Sequence, residues 1–312
     1  MIATRQIRWL SLLLISVRIC SGFGGFSKQQ IQEFFTKTLR FPRPLWTGPN
    51  LSREGRRDFK LLFIAGLVSL EVCTEVYVRL PGEWLYGSTP TPIQNLETSA
   101  KYDVVIFPGA GGPDQYTKAL RDTIIASDMR KGIHRPVYVY DWLQWRGSFL
   151  RAAFDSQNVG KVIGTQIAQS QHLQNLHVIG ISVGAFAADS CAKAYKELAT
   201  SPGKVHLTLL DPFTSKGVFG YGWGVTHFGV DADVVEDYLN VDDPVPTTNE
   251  PVVNAFTLDV TNSEARKGFE DSTHSWPVAY LANHWNTVFD EDGNIIEPSS
   301  EAEPKGTVVA VP

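Results

Sequence analysis

The chain has 312 residues, of which 43% are hydrophobic and 20% are charged, and its formal net charge is −5. This composition is typical of a globular protein with one sizeable core and excludes an intrinsically disordered chain. Because no block of basic residues occurs, nucleic acid is not an expected partner. The few cysteines exclude a disulfide scaffold, so Cys73 and Cys191 are expected to be buried free thiols, with a single bridge between them as the alternative.

The first residues have the pattern of a targeting peptide. Arg5 and Arg8 precede an apolar run, Trp9 to Val17, which is too short to span a bilayer, and small residues follow Cys20. Residues 1–22 are therefore predicted to be a signal or targeting peptide that directs the protein into the secretory pathway or out of the cell. The alternatives are an organelle reached through a signal-led targeting sequence and an N-terminal helix that lies on a membrane.

Residues 23–58 are predicted to form an N-terminal arm, and residues 59–289 are predicted to form the folded domain. Phe59–Leu70 is strongly apolar, but acidic residues follow closely, so a membrane span is not expected. Val72–Leu80 alternates apolar and polar residues, which predicts a strand. Residues 290–312 are acidic, contain Pro and Ser and lack a sustained apolar period, so they are expected to form a loose tail.

From Asp103 onward, predicted strands alternate with predicted helices. The strands are short apolar runs, and the helices have apolar residues at helical spacing. In chain order these elements are strand Asp103–Phe107, helix Pro113–Met129, strand Val137–Trp142, helix Val159–Gln171, strand Leu176–Ile179, helix Ala185–Tyr195, strand Val205–Leu210 and strand Val252–Val260. Such alternation predicts a mostly parallel sheet that is covered by helices on both faces.

Gly180 to Gly184 has the sequence G-I-S-V-G and lies between an apolar strand and an Ala-rich helix. In that context the pattern predicts a sharp turn that lifts the Ser182 hydroxyl above the sheet as a nucleophile. The glycines allow the strand and the helix to cross closely, and the helix start leaves backbone N–H groups for a developing oxyanion. A Gly- and Ser-rich turn without catalysis is the alternative.

The order of these landmarks resembles the α/β-hydrolase fold and, within it, the pancreatic-type lipases. The matching stretches are F-P-G-A-G-G at Phe107, V-Y-V-Y-D-W at Val137, N-V-G-K-V-I-G-T-Q-I-A at Asn158, H-V-I-G-I-S-V-G-A at His177, L-L-D-P-F at Leu209 and S-T-H-S-W-P-V-A-Y at Ser272. They extend over roughly Lys101 to Trp285. The chain departs from the family in carrying Ile181 before the serine, where lipases often have histidine, and in lacking cysteines for a disulfide-closed lid.

The resemblance implies a Ser–His–Asp triad in the chain order serine, acid, histidine. It implies Asp211 as the acid, in an L-D-P sequence directly after a strand, with Asp243 in D-D-P-V-P as the alternative. It implies His274, in D-S-T-H-S-W-P, as the base, with His284 as the fallback.

The resemblance also implies an oxyanion hole that is made of two backbone N–H groups. One belongs to Val183, directly after the serine, and by the family pattern the other belongs to Ala110 in P-G-A-G-G. Between acid and base, Thr214–Gly229 combines glycine with aromatic residues and is predicted to be a lid or an acyl-binding wall, with a packed surface loop as the alternative. The aromatic residues assigned to this role are Phe219, Tyr221 and Trp223.

Together these features predict a serine hydrolase that cleaves carboxylic esters through an acyl-enzyme, with acylglycerols or membrane glycerolipids as the favoured substrates. The expected partners are a lipid or other ester substrate and, transiently, a lipid surface. Neither a metal ion nor a cofactor is expected. The alternatives are a small-ester esterase or thioesterase, an acyltransferase, and a catalytically inactive lipase-like binding module.

Overall fold

The computed structural model describes residues 66, 68–97, 102–146, 148, 150–170, 175–217, 219–288 and 304–312. The chain divides into two compact units, Met1–Leu80 and Pro81–Pro312. The predicted targeting peptide and N-terminal arm lie outside the described residues, as does most of the predicted tail. None of the helices in the described part of the chain is both long enough and apolar enough to span a membrane.

The described part of the first unit is helical over residues 68–79. The prediction of a strand at Val72–Leu80 is therefore wrong. The Thr74 hydroxyl donates to the Leu70 carbonyl, one helical turn earlier, over 2.8 Å. Arg79 Nη2 donates to the Glu75 carboxylate, also four residues earlier, over 3.3 Å. Apolar residues at every second position include pairs that are four residues apart, which is also the spacing along one face of a helix. In so short a segment the pattern therefore does not distinguish a strand from a helix.

The second unit is built on a parallel sheet, which has seven strands among the described residues. The strands are β1 Tyr102–Phe107, β2 Val137–Val139, β3 Asn175–Ile181, β4 Lys204–Leu210, β5 Val234–Leu239, β6 Phe256–Asp259 and β7 Val308–Ala310. Their order across the sheet is β2-β1-β3-β4-β5-β6-β7, and every neighbouring pair is parallel. The predicted α/β class, with a parallel sheet flanked by helices, is confirmed.

Helices lie between most consecutive strands and cover both faces of the sheet. They are α1 Gly82–Tyr86, α2 Gln115–Lys131, α3 Ala152–Gln169, α4 Ala185–Leu198, α5 Trp223–His227 and α6 Trp276–Val288. The boundaries of α2 follow local chemistry, because the Asp114 side chain accepts the Thr117 N–H over 2.8 Å at its start and Gly132 adopts a left-handed conformation at its end.

The side chains of each strand alternate between two hydrophobic cores. In β1, Val105 and Phe107 belong to the core that contains residues of α3 and α4. Val104 and Ile106, on the opposite face, belong to the core that contains residues of α2 and α6. The central strands are therefore buried on both faces, which explains their nearly continuous apolar sequences.

Two strands were not predicted from the sequence. β5 contains the acidic residues Glu236 and Asp237, and both are fully buried. β7 lies in the segment that was expected to be a loose tail, and Thr257 of β6 donates its N–H to the Thr307 carbonyl over 2.8 Å at the start of this pairing. The side chains of β7 are exposed, so its sequence carries no signal of burial.

The order of the strands reverses at β1. The chain leaves β1 toward β2 on one side and then returns across β1 to β3 on the other side. At such a reversal the connections after the two central strands diverge, and ligands of α/β proteins usually bind between them, at the carboxyl ends of the strands. In this protein the loop at residues 108–112, after β1, and Ser182, after β3, follow the two strands at which the order reverses.

Candidate active site

Ser182 directly follows β3 and begins a single 3-10 turn, Ser182–Gly184, that leads into α4. Its φ of 53° lies in the left-handed region, which is strained for a residue other than glycine. A Cβ atom on Gly184 would lie 2.3 Å from the Phe107 carbonyl oxygen, so only glycine allows the turn to pack against the end of β1. The Ser156 hydroxyl donates to the Val183 carbonyl over 2.9 Å and anchors the turn to α3.

The loop after β1 lies beside the serine. A Cβ atom on Gly109 would lie 3.2 Å from Ser182 Cβ and 3.7 Å from its Oγ. The Gly112 N–H donates to the Gly109 carbonyl over 3.0 Å and closes a turn at residues 109–112. Ala110, which is half-buried, occupies this turn.

The carbonyl groups of this loop are bound, whereas its amide N–H groups are available. Trp142 Nε1 donates to the Pro108 carbonyl over 2.9 Å, and Arg146 Nη1 donates to the Ala110 carbonyl over 2.9 Å. Within the described ranges, no residue accepts a hydrogen bond from the N–H groups at positions 109–111. Unpaired N–H groups beside a serine hydroxyl are the donors that an oxyanion requires.

His274 lies in a 3-10 turn, Thr273–Ser275, that immediately precedes α6. Its Nδ1 lies 2.8 Å from Oδ2 of Asp211 and 2.7 Å from Oδ2 of Asp243. Both carboxylate side chains are fully buried, and the imidazole is 22% exposed. The structure thus brings together the predicted base, the favoured acid and the alternative acid.

The sheet explains how residues from three separate segments meet. Asp211 directly follows β4, and Asp243 follows the neighbouring parallel strand β5, so both lie at the same edge. Asn240 links them to the histidine: its N–H donates to Asp211 Oδ1 over 3.1 Å, and its Nδ2 donates to the Thr273 carbonyl over 2.7 Å. The position of His274 is therefore fixed through the end of β5.

Asp243 has hydrogen-bond partners of its own. The Thr248 hydroxyl lies 2.5 Å from Asp243 Oδ2, and the Val245 N–H donates to Oδ1 over 3.2 Å. These contacts hold the carboxylate in place, so its position beside His274 does not depend on the histidine alone.

The two carboxylates change the proton affinities in the site. Burial raises the pKa of Asp211 to about 7; the hydrogen bond and charge of His274 oppose this change, and the nearby Asp243 adds to it. Burial alone would lower the pKa of His274, but hydrogen bonds to and charges on Asp211 and Asp243 outweigh it, so the pKa is raised above 6.5.

Ser182 and His274 are not hydrogen-bonded to each other in the described structure. The serine lies at the end of β3, and the acids that hold the histidine lie after β4 and β5, the next two strands across the sheet. In enzymes without substrate, catalytic hydrogen bonds are often long and shorten only when substrate binds.

No protein-family model, curated protein or solved structure matches this chain. The function is therefore argued from the chemistry of the site.

The fallback base, His284, has different neighbours from His274. It lies on α6, where its Nδ1 donates to the Tyr280 carbonyl over 2.8 Å and its ring stacks on the Tyr280 ring with centroids 4.2 Å apart. It is not among the groups that contact Asp211 or Asp243. Within the described residues, only His274 is placed to be oriented by either candidate acid.

The predicted lid contains two kinds of aromatic residue. Phe219 and Tyr221 are 67% and 75% exposed. Trp223 begins α5, is half-buried and stacks on Phe186 with ring centroids 5.8 Å apart, and Lys216 Nζ lies 4.5 Å from the centre of its indole ring. Phe219 and Tyr221 thus expose most of their side-chain surface, whereas Trp223 packs against the protein.

The acid–histidine cluster also has the composition of a metal site. Asp211, Asp243 and His274 form the one group of three such side chains in the described structure whose donor atoms all lie within 4.8 Å of one another. However, Nδ1 of His274 lies at hydrogen-bond distance from both carboxylates, and a nitrogen that donates its proton has no lone pair for a metal. The contacts correspond to those of a histidine that is oriented by an acid.

Three residues that bear on the site were not singled out from the sequence. Asn240 directly follows β5, a strand that was not predicted. Had β5 been predicted, Asn240 would have been recognised as a polar residue at the carboxyl edge of the sheet. Trp142 and Arg146 follow β2, and their contacts with the loop after β1 depend on the pairing of these strands. The aromatic and basic residues in D-W-L-Q-W-R were the available signal.

Proposed function

We propose that this protein is a serine hydrolase of carboxylic esters with the α/β-hydrolase fold. The observation that carries the proposal is the grouping of three features at the carboxyl edge of the parallel sheet. They are a strained, half-buried serine at a strand–turn–helix junction, a histidine bound to buried carboxylates, and available amide N–H groups beside the serine. Together they supply a nucleophile, an oriented base and an oxyanion site.

In the proposed mechanism, Ser182 Oγ attacks the ester carbonyl carbon while His274 Nε2 takes the hydroxyl proton. Asp211 and Asp243 orient the imidazole through Nδ1 and stabilise the imidazolium. The N–H groups of Val183 and Ala110 stabilise the tetrahedral oxyanion. His274 then gives its proton to the leaving alcohol, and water hydrolyses the acyl-enzyme by the same steps.

We propose a lipid ester as the substrate, either an acylglycerol or a membrane glycerolipid. The support is the segment Thr214–Gly229, which follows the acid and exposes Phe219 and Tyr221. Aromatic side chains with exposed apolar surface are suited to an acyl chain or a lipid–water boundary. In this proposal the segment contacts the acyl chain, and the triad and oxyanion donors act on the ester.

One observation favours a second candidate, a catalytically inactive lipase-like binding module. Ser182 and His274 make no hydrogen bond with each other in the part of the chain that the structure describes. In an inactive module this separation would be permanent, whereas in an enzyme it closes when substrate binds.

A serine-directed fluorophosphonate separates the two candidates. The full-length protein is treated with the probe, digested and analysed by mass spectrometry, with Ser182→Ala and His274→Gln as controls. An active hydrolase is expected to carry the adduct on Ser182, and both controls are expected to remain unlabelled. A wild-type protein that is not labelled at Ser182, or His274→Gln protein that is labelled at the same rate, would contradict the proposed function.

A further inference from the structure

Two side chains from the segment after β2 hold the loop that borders Ser182. Trp142 is fully buried, and its Nε1–H donates to the Pro108 carbonyl over 2.9 Å. Arg146 Nη1 donates to the Ala110 carbonyl over 2.9 Å, and its Nη2 pairs with Asp141 over 2.6 Å. The Arg146 side chain is only 7% exposed, although that of Asp141 is 48% exposed.

The guanidinium also packs against the backbone of the loop. A Cβ atom on Gly112 would lie 2.4 Å from Nη1 and 2.5 Å from Nη2 of Arg146, so the arginine occupies the space that a side chain would need. Arg146 therefore contacts the loop in two ways, through a hydrogen bond to one carbonyl and through packing at the end of the turn.

These bonds fix the directions of the amide N–H groups. In a trans peptide the carbonyl and the following N–H point in opposite directions. The bond from Arg146 to the Ala110 carbonyl therefore directs the Gly111 N–H away from the arginine. The bond from Trp142 to the Pro108 carbonyl likewise directs the Gly109 N–H away from the tryptophan. The turn bond to the Gly109 carbonyl fixes the intervening N–H, that of Ala110.

A loop with glycine at positions 109, 111 and 112 has little steric resistance to a peptide flip. A flip would place a carbonyl oxygen, in place of an N–H group, beside the serine and would repel the oxyanion. Donors stabilise a transition state efficiently only when they are already oriented before the reaction. The loop therefore needs an external restraint, and the contacts of Arg146 supply it.

We propose that Arg146 is a positioning residue of the oxyanion hole. By holding the Ala110–Gly111 peptide, it keeps the turn at residues 109–112 in the conformation that presents the adjoining Ala110 N–H, the proposed oxyanion donor, beside the serine. This role rests on the proposed function of Ser182. It predicts a loss of transition-state stabilisation, and not of ground-state binding, when Arg146 is replaced.

The test compares Arg146→Met with Asp141→Asn in the full-length protein. Methionine retains much of the side-chain volume but cannot donate to Ala110, whereas Asp141→Asn alters the other end of the guanidinium and leaves the Ala110 bond in place. For each variant, kcat and KM are measured with p-nitrophenyl butyrate, together with the inhibition constant of an alkyl boronic acid, which forms a tetrahedral adduct with the serine, and the melting temperature.

Arg146→Met is expected to lower kcat by about 10²–10³-fold, the usual effect of losing one oxyanion donor, and to weaken boronate inhibition by a similar factor. KM is expected to change by less than about threefold, since ground-state binding is retained. Arg146→Lys, which keeps the charge and a donor, is expected to recover part of kcat. Asp141→Asn is expected to stay within about threefold of wild type in kcat.

The outcomes distinguish this role from the proposed function. A wild type that hydrolyses the ester while Arg146→Met keeps its kcat would overturn the role of Arg146 alone. Equal losses of kcat and melting temperature in Arg146→Met and Asp141→Asn would also overturn it, because they indicate a general structural role. A wild type that neither hydrolyses the ester nor is labelled at Ser182 would overturn the proposed function together with this role.

A second variant covers the case in which Arg146→Met does not fold. Trp142→Phe removes the Nε1–H donor to Pro108 together with part of the buried ring volume, and it retains an aromatic ring at this site. If restraint of the loop carbonyls controls the oxyanion hole, this variant is expected to lower kcat by at least about tenfold with little change in KM. Wild-type kcat in a folded Trp142→Phe protein would overturn the proposal in that case.

Discussion

Asp211 and Asp243 share one hydrogen-bond partner, because the Oδ2 atom of each lies within 2.8 Å of Nδ1 of His274. A single N–H can donate fully to only one carboxylate at a time. The second carboxylate, held by Thr248 and Val245, lies close enough to take over if the first is lost. The site is therefore expected to have two orienting acids that partly replace each other.

This overlap predicts non-additive effects of mutation. Asp211→Asn and Asp243→Asn are each expected to lower kcat/KM by less than the roughly 10⁴-fold loss that follows removal of a sole triad acid. The double variant is expected to approach that full loss. Steady-state hydrolysis of a short p-nitrophenyl ester measures all three. If one single variant is as inactive as the double variant, that residue is the only orienting acid.

The pH dependence of hydrolysis provides a separate test of the acid pair. In the proposed mechanism His274 must be neutral to accept the serine proton. The contacts with Asp211 and Asp243 raise its pKa above 6.5. The acid limb of kcat/KM is therefore expected to have its midpoint above pH 6.5 in the wild type. Removing one carboxylate charge with Asp243→Asn is expected to move this midpoint to lower pH.

Asp242→Asn is the matched control for the pH profile, because it removes the same charge from the neighbouring residue. Asp242 is 60% exposed and pairs with Arg266 over 3.2 Å. Its profile is expected to overlay that of the wild type. Equal displacement of the acid limb in both variants would show a general charge effect and not a contact between Asp243 and His274.

A buried carboxyl in β5 predicts how stability varies with pH. Asp237 is fully buried, accepts hydrogen bonds from the Val252 N–H and the Thr257 hydroxyl, and has its pKa raised by burial from 3.8 to about 7. The folded state therefore binds more protons than the unfolded state between pH 4 and 7. The contribution of this group to stability is present at low pH and is lost as pH rises through about 7.

Asp237→Asn is expected to remove this dependence. The melting temperature of the variant minus that of the wild type is expected to be larger at pH 8 than at pH 5. The increase is expected to be about 2–4 °C for each kcal/mol of stability that the wild type loses when Asp237 ionises. Asp122→Asn, at a site that is 62% exposed, is the control and is expected to show the same difference from wild type at both pH values. A constant difference for Asp237→Asn would show that Asp237 is ionised in the folded protein throughout this range.

The exposed aromatic residues of Thr214–Gly229 predict a dependence on acyl length. Replacing Phe219 and Tyr221 together with alanine is expected to reduce kcat/KM for a long-chain ester by at least about tenfold, since each side chain would contribute roughly 1 kcal/mol of apolar contact. Hydrolysis of the butyrate ester is expected to change little, because the triad and oxyanion donors are unaltered. Trp84→Ala, at a site that is 77% exposed on α1, is the control for loss of a surface aromatic. Equal losses for long and short esters would indicate that the loop is structural.

Patterns that depend on burial were predictable from the sequence. The strand that ends at Phe107, the G-I-S-V-G turn and the alternation of strands and helices were all visible in short apolar runs and glycine positions. The predicted strand Val252–Val260 is shorter in the structure, where it extends only over Phe256–Asp259. The flanking residues do not belong to the strand. β5 was missed because its buried Glu236 and Asp237 have the composition of an exposed segment.

Contacts between distant segments could not be predicted in the same way. That both Asp211 and Asp243 would reach His274 depends on the pairing of β4 with β5, and two candidate acids in sequence gave no reason to expect both. The bonds from Trp142 and Arg146 to the loop after β1 likewise depend on the pairing of β1 with β2. In each case the sequence identifies residue types, and the strand order determines which of them meet.

Ser182 and Asp211 both have backbones in the left-handed region, with φ of 53° and 49°. This conformation costs about 1–2 kcal/mol for most L-residues, somewhat less for aspartate, and glycine adopts it freely. At Ser182, whose hydroxyl has no hydrogen-bond partner among the described residues, selection for stability alone would therefore favour glycine. If the proposed hydrolysis were no longer needed by a descendant of this protein, the substitution of Ser182 by glycine would be expected to persist there and to raise thermal stability.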